Sequence, residues 1–171
     1  MAVKEVTQKD VYNYFAKNKK IASYYPMICF EKGNVDSIGE SKFLNDPLYD
    51  GKTIRENGVA PCRWLQYMIS TTIVNIAAFS IVQDYDVKTE EYIPDTRVMY
   101  VDLIETSSKM QDKGYAKLML MELKNRASNL KCLKKLRMVP YDIESREFWK
   151  EVGAKPVYNS KKEVIFYELT F

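Results

Sequence analysis

A chain of 171 residues, 46% apolar and 29% charged, has the size and composition of one globular domain with a hydrophobic core, and no apolar run is long enough to span a bilayer. The formal charge of +3, from 26 basic and 23 acidic residues, is too small to signal duplex nucleic acid by electrostatics. The absence of histidine excludes Ser-His-Asp and Cys-His nucleophilic systems and His-ligated metals, so chemistry falls to carboxylates, tyrosines, backbone groups or a cofactor.

The N-terminus, "MAVKEVTQKD", lacks the apolar region of a signal peptide, and Cys29, Cys62 and Cys132 show no paired spacing. Both predict a cytoplasmic protein. Thr7 as a cap, with Asp10 three residues on and Val11, Tyr14 and Phe15 following, predicts a helix to about Lys20. Residues 21–30 could hold a short strand interrupted at Pro26. The next stretch, "EKGNVDSIGESKFLNDPLYDGKTIRENGVAP", carries four glycines and two prolines in 31 residues and reads as loop. Long loops of this kind often border a binding site.

β-branched and aromatic residues predict neighbouring antiparallel strands over 64–70 and 73–83. A polar connection containing Pro94 leads to a mostly apolar strand over 97–106, interrupted by Asp102 and Glu105. Ala116, Leu120, Leu123, Ala127 and Leu130 line one face of a helix from Tyr115 to about Leu130. "KKLRMVPY" gives a short strand. "DIESREFWKEVGAKP" is a helix with Asp142 as cap, Glu144 at its positive end, Phe148, Trp149 and Val152 on one face, and Gly153 and Pro156 as stops. "KPVYNS" and "KEVIFYELTF" alternate as a terminal hairpin. The order predicts an α+β domain around one mixed sheet.

Between the strand ending near Thr106 and the helix opening at Tyr115 stands "MQDKGYAK". A strand-to-helix junction presents unpaired N–H groups at the positive end of the helix dipole, and glycine admits both close approach and an unusual φ. Such a junction can bind phosphate. Residues Gln111, Asp112, Lys113, Gly114, Tyr115 and Ala116 fit the Q/R-x-x-G-x-G/A pattern of the GNAT superfamily of N-acetyltransferases. The segment 28 residues beyond Gly114 resembles that family's later N-x-x-A-x-x-F-Y/W-x-x-x-G-F stretch, with Asp142 at the Asn position, Ser145 at the Ala position, Phe148 and Trp149 at the aromatic pair, and Gly153 and Ala154 at the end.

The resemblance covers about residues 64–171 and implies a GNAT-like fold: a twisted mixed β-sheet flanked by helices, splayed to admit acetyl-CoA. It implies one domain over 1–171, with 64–171 as the acetyl-CoA-binding core and 1–60 as a variable part of the acceptor site. The backbone of Ile104, Glu105 and Thr106 would pair with the pantetheine arm, residues 111–116 would cradle the pyrophosphate, and the helix from Asp142 would pack on the arm with Phe148 and Trp149 near the thiol end. The family's activity would be transfer of acetyl from acetyl-CoA to a primary amine by direct attack, the acceptor being a small molecule or a peptide, protein or aminoacyl-RNA amine. A non-catalytic acyl-CoA sensor is the alternative, and a homodimer is left open.

Candidate bases are Asp102, on the strand face of Tyr100, and Glu105, on the opposite face by alternation. The family's usual tyrosine after Phe148 is Trp149 here, and indole cannot supply a proton to a leaving thiolate. Tyr141 and Tyr158 are the substitutes near the same helix. Residues 31–60 are expected to choose the acceptor, with Asp36, Glu40, Asp46 and Asp50 as a mildly acidic cluster.

Overall fold

A computed structural model describes residues 3–31, 34–37, 63–132 and 134–171. Its main sheet comprises β1 (Val3–Val6), β4 (Arg63–Ile69), β5 (Thr72–Asp86), β6 (Glu91–Thr106), β7 (Lys135–Met138), β8 (Lys155–Tyr158) and β9 (Val164–Thr170), in the order β1-β4-β5-β6-β7-β9-β8. The β6–β7 pair is parallel and the other pairs are antiparallel. A separate hairpin joins β2 (Ile28–Glu31) to β3 (Asn34–Ser37). The helices of the described residues are α1 (Gln8–Lys17), α2 (Lys19–Ala22), α3 (Tyr115–Asn129) and α4 (Ile143–Glu151).

Local chemistry accounts for most boundaries. Thr7 and Asp10 form a reciprocal capping box at α1. The single helix expected to Lys20 is divided at Asn18, which leaves helical geometry at φ −121° and ψ 56° and donates its side-chain N–H to the Tyr14 carbonyl at 2.7 Å. Asp142 and Ser145 cap α4 in the same way as the box at α1, with Ser145 N–H donating to Asp142 Oδ1 at 2.7 Å. Gly153, at φ 93°, follows the helix in a left-handed conformation.

Three elements escape local reading, among them β3, which lies within the stretch expected as loop. Strand β1 has four residues, too few to show alternation, and exists because β4 offers it an antiparallel edge. Strand β6 begins at Glu91 rather than near Arg97. The β5–β6 ladder resumes at Tyr85↔Tyr92 beyond a register shift, and Pro94 lies in the unpaired stretch between Tyr92 and Arg97, where a missing N–H costs no ladder bond.

The sheet has a filled layer on each face. Leu65, Ala77, Phe79, Met99 and Val101 pack against Met119, Leu120 and Leu123 of α3 and Trp149 of α4. On the other face, Trp64, Ile73, Ile76, Ala78 and Leu103 pack against Val11 and Phe15 of α1 and against Tyr25.

Candidate functional site

Strand β6 pairs with β7 only at Met99↔Leu136 and Tyr100↔Arg137. Beyond Tyr100, residues 101–106 have no strand on that side among the described residues. Chain β7 ends at Met138, and Pro140 and Tyr141 carry the backbone away toward α4. A cleft of about 640 Å³ opens in the gap. Its walls are the β6 edge from Leu103 to Thr106, the junction and first turn of α3, one side of α4, and Pro26 and Met27 from the N-terminal part.

The α3 end of the cleft has the geometry of an anion cradle. Asp112 (φ 61°) and Gly114 (φ 79°, ψ 5°) are both left-handed, which folds the junction tightly over the helix start. Among the described residues, the N–H groups of residues 111–117 meet no acceptor. The first turn of α3 contains no acid, so the helix dipole there is uncompensated. A Cβ added at Gly114 would stand in open space. These features fit a pyrophosphate: unpaired donors, a positive helix end and room for close approach.

Glu105 sits along the open edge. It is 7% exposed, its Oε1 accepts a hydrogen bond from the Met27 N–H at 3.0 Å, and its Oε2 is buried without a partner among the described residues. Burial raises its pKa from 4.5 to about 7, the Met27 N–H opposing the shift in part. Tyr25 beside it is also raised, by burial first and by the Glu105 charge second, and its hydroxyl donates to the Ile73 carbonyl at 2.8 Å.

Simple alternation puts Asp102 and Glu105 on opposite faces, and the structure corrects this. Ala78 pairs with Leu103 while Phe79 pairs with Val101, leaving Asp102 as the extra residue of a β-bulge. The bulge resets the alternation. Both acids now stand on the α1 face, Asp102 accepting from Ser80 Oγ at 3.0 Å and Glu105 lying opposite Ile76. Asp102 does not line the cleft; Glu105 does.

The structure brings Ile104, Glu105, Thr106, Gln111, Asp112, Gly114, Tyr115, Ala116, Asp142, Phe148 and Trp149 onto one cleft. Lys113 stands beside it, with Nζ 3.6 Å from Met110 Sδ. Tyr158 is not brought there: it is 53% exposed, next to the register shift in the β8–β9 pair. Tyr141 lines the cleft and donates its hydroxyl to the Asp102 carbonyl. Of the segment expected to choose the acceptor, Asp36 belongs to β3, whereas Glu40, Asp46 and Asp50 lie outside the described residues. Met27, Lys117 and Glu151 are cleft residues that motif matching does not single out. For the latter two a signal existed: lysine in a helix's first turn and glutamate in a last turn both oppose the usual charge preference.

No protein-family model matches the sequence, and neither does any curated protein sequence. Solved structures do match in fold. The chain is similar to a ribosomal-protein-alanine N-acetyltransferase from Brucella melitensis biovar Abortus 2308, at 15% identity over 94% of this chain and 96% of that one, with a TM-score of 0.56. An aminoglycoside antibiotic 6'-N-acetyltransferase from Acinetobacter haemolyticus matches at 14% identity over 95% and 99%, TM-score 0.53. A predicted acetyltransferase from Clostridium acetobutylicum, solved with acetyl-CoA, matches at 15% over 91% and 90%, TM-score 0.52. The chain therefore has the GNAT acetyltransferase fold. Among the described residues, no helix is long and apolar enough to cross a membrane.

Proposed function

We propose that this chain is an N-acetyltransferase that moves the acetyl group of acetyl-CoA to a primary amine. The observation that carries the reading is the juxtaposition along one strand edge: the side of β6 from Leu103 to Thr106 that no strand covers among the described residues, a cradle of N–H groups at the start of α3, and a buried carboxylate with one oxygen that has no partner among the described residues. Acetyl-CoA supplies a thioester open to attack by an amine. The N–H groups of residues 111–117 hold its pyrophosphate, the edge from Ile104 to Thr106 takes the pantetheine amides as a strand would, and Phe148 and Trp149 cover the arm.

Glu105 is the general base. With a pKa of about 7 it is divided between acid and base near neutrality, where a proton acceptor works best. Its Oε2 has no partner among the described residues, so a proton taken from the acceptor ammonium before attack, or from the amine as its bond to the acetyl carbon forms, would reside there. Asp102, held by Ser80 behind the bulge, serves the position of β6 rather than the proton. Pro26 and Met27 bring the N-terminal part to the acceptor side of the cleft, and residues 31–60 complete the choice of amine. Small-molecule amines and peptide or protein amines are both within this reading.

The test is binding and transfer measured together. Saturation with acetyl-CoA at about a hundred times Kd should add roughly 2.7 kcal/mol and raise Tm by about 2 to 4 °C, with a smaller rise for acetylpantetheine. A panel of small amines and N-terminal peptides should then yield an acetylated product and free thiol. A thermal shift without transfer to any amine would leave a non-catalytic acyl-CoA-binding protein; no shift would refute the acetyl-CoA site itself.

A further inference from the structure

Lys117 and Glu151 both line the cleft and meet there, Lys117 in the first turn of α3 and Glu151 as the last residue of α4. Their charged atoms are 2.6 Å apart, and both side chains are more than half exposed, at 57% and 63%. Each stands at the helix end that disfavours its charge. The N-terminus of α3 is already positive and the C-terminus of α4 already negative. An exposed ion pair of this kind contributes little to stability on its own. Its place is better explained by what lies beside it, the unpaired N–H groups of residues 111–117 at the start of α3.

We infer that Lys117 is a phosphate ligand held by Glu151 until the cofactor arrives, and that Glu151 thereby sets the affinity for a carrier bearing phosphate over one without it. The inference rests on the acetyl-CoA reading of the cleft. On binding, the Lys117 ammonium leaves the Glu151 carboxylate for the pyrophosphate, where it adds a formal charge to the backbone donors of the cradle. Glu151 is left unpaired at a negative helix end. That makes the bound state less favourable than the cradle alone would make it, and speeds release of the product carrier. Lys113, directed at Met110, does not perform this exchange.

Calorimetric titration of acetyl-CoA and of S-acetylpantetheine, at low ionic strength so that exposed charges are not screened, tests the exchange. Lys117→Gln should weaken acetyl-CoA about tenfold. Glu151→Gln should tighten it about three- to fivefold. Neither should alter acetylpantetheine. Glu144→Gln removes a cleft carboxylate that holds no ion pair among the described residues and should change affinity less than about twofold; Glu151→Gln made in the Lys117→Gln background should do no more than that. Melting temperatures of the free variants should match the wild type, since the pair is exposed. An unchanged or weakened affinity for Glu151→Gln, or a full gain in the Lys117→Gln background, overturns the exchange while leaving the cofactor site standing. A wild type that binds acetylpantetheine as well as acetyl-CoA, or neither, overturns the phosphate cradle and the exchange with it.

Discussion

The two halves of β6 treat buried carboxylates in opposite ways. Where β6 is flanked by β5 and β7, Asp84 of β5 is 2% exposed and is met by Lys135 Nζ at 2.8 Å and Arg137 at 2.5 Å. Glu168 takes the other side of Arg137 at 3.0 Å, and the guanidinium lies over the Phe166 ring at 4.4 Å. Among the described residues, where β6 has β5 on one side and no strand on the other, Glu105 is nearly as buried yet has a single backbone N–H as partner. Desolvation compensated by cations gives a structural network; desolvation left uncompensated gives a carboxyl group near pKa 7. One strand thus has a compensated carboxylate beside one end and an uncompensated one at the other.

The sharpest way to break this contrast is Glu105→Gln, which keeps the shape and can still accept from Met27. The transfer rate should fall by about 10²- to 10⁴-fold in kcat/KM, and the wild-type rise of activity with pH, centred near the Glu105 pKa of about 7, should flatten. A variant that keeps both the rate and the profile would show that the open-end carboxylate is no base. At the closed end the equivalent cut is Arg137→Met. It leaves Asp84 buried with part of its compensation gone and should cost about 3 to 5 kcal/mol, a drop in Tm on the order of 10 °C, with acetyl-CoA affinity of the folded fraction unchanged.

Stability against pH distinguishes the same two ends. The folded pKa of Glu105 is raised above its unfolded value of 4.5, so its contribution is fully present below that value and is lost as pH rises toward about 7. Denaturant titrations of wild type and Glu105→Gln across this window should therefore diverge, the variant gaining about 3 kcal/mol relative to wild type between pH 4 and pH 8. Parallel curves would mean that Glu105 is solvated in solution. Smaller still is the effect at the cradle. Gly114→Val forces a β-branched residue to a φ of 79°, where no neighbour is struck but the backbone itself is strained. It should remove the roughly 2.7 kcal/mol of ligand stabilisation seen at saturation; a full acetyl-CoA thermal shift in the variant would move the pyrophosphate elsewhere.

Much of the cleft was legible in the linear chain because its parts are local. A glycine before a helix, an Asp-x-x-Ser cap and an aromatic pair one turn from a stop are set by neighbours within a few residues. The long strands and amphipathic α3 were legible for the same reason. Motif spacing could not show that Lys113 would stand aside while Lys117 lined the cleft, nor that Tyr158 would face outward from an edge strand.

What the amino-acid sequence determined by itself was the order of the longer strands and helices, the capped helix ends and the glycine junction before α3, since each depends on backbone geometry over one or two turns. Only the tertiary structure decided the bulge at Asp102, which depends on how β5 and β6 pair over their whole length. That one extra residue moved Glu105 to the α1 face, beneath Met27, from 78 residues away in the chain. Burial by a distant segment, rather than any property of its neighbours in sequence, is what raises the pKa of that carboxylate.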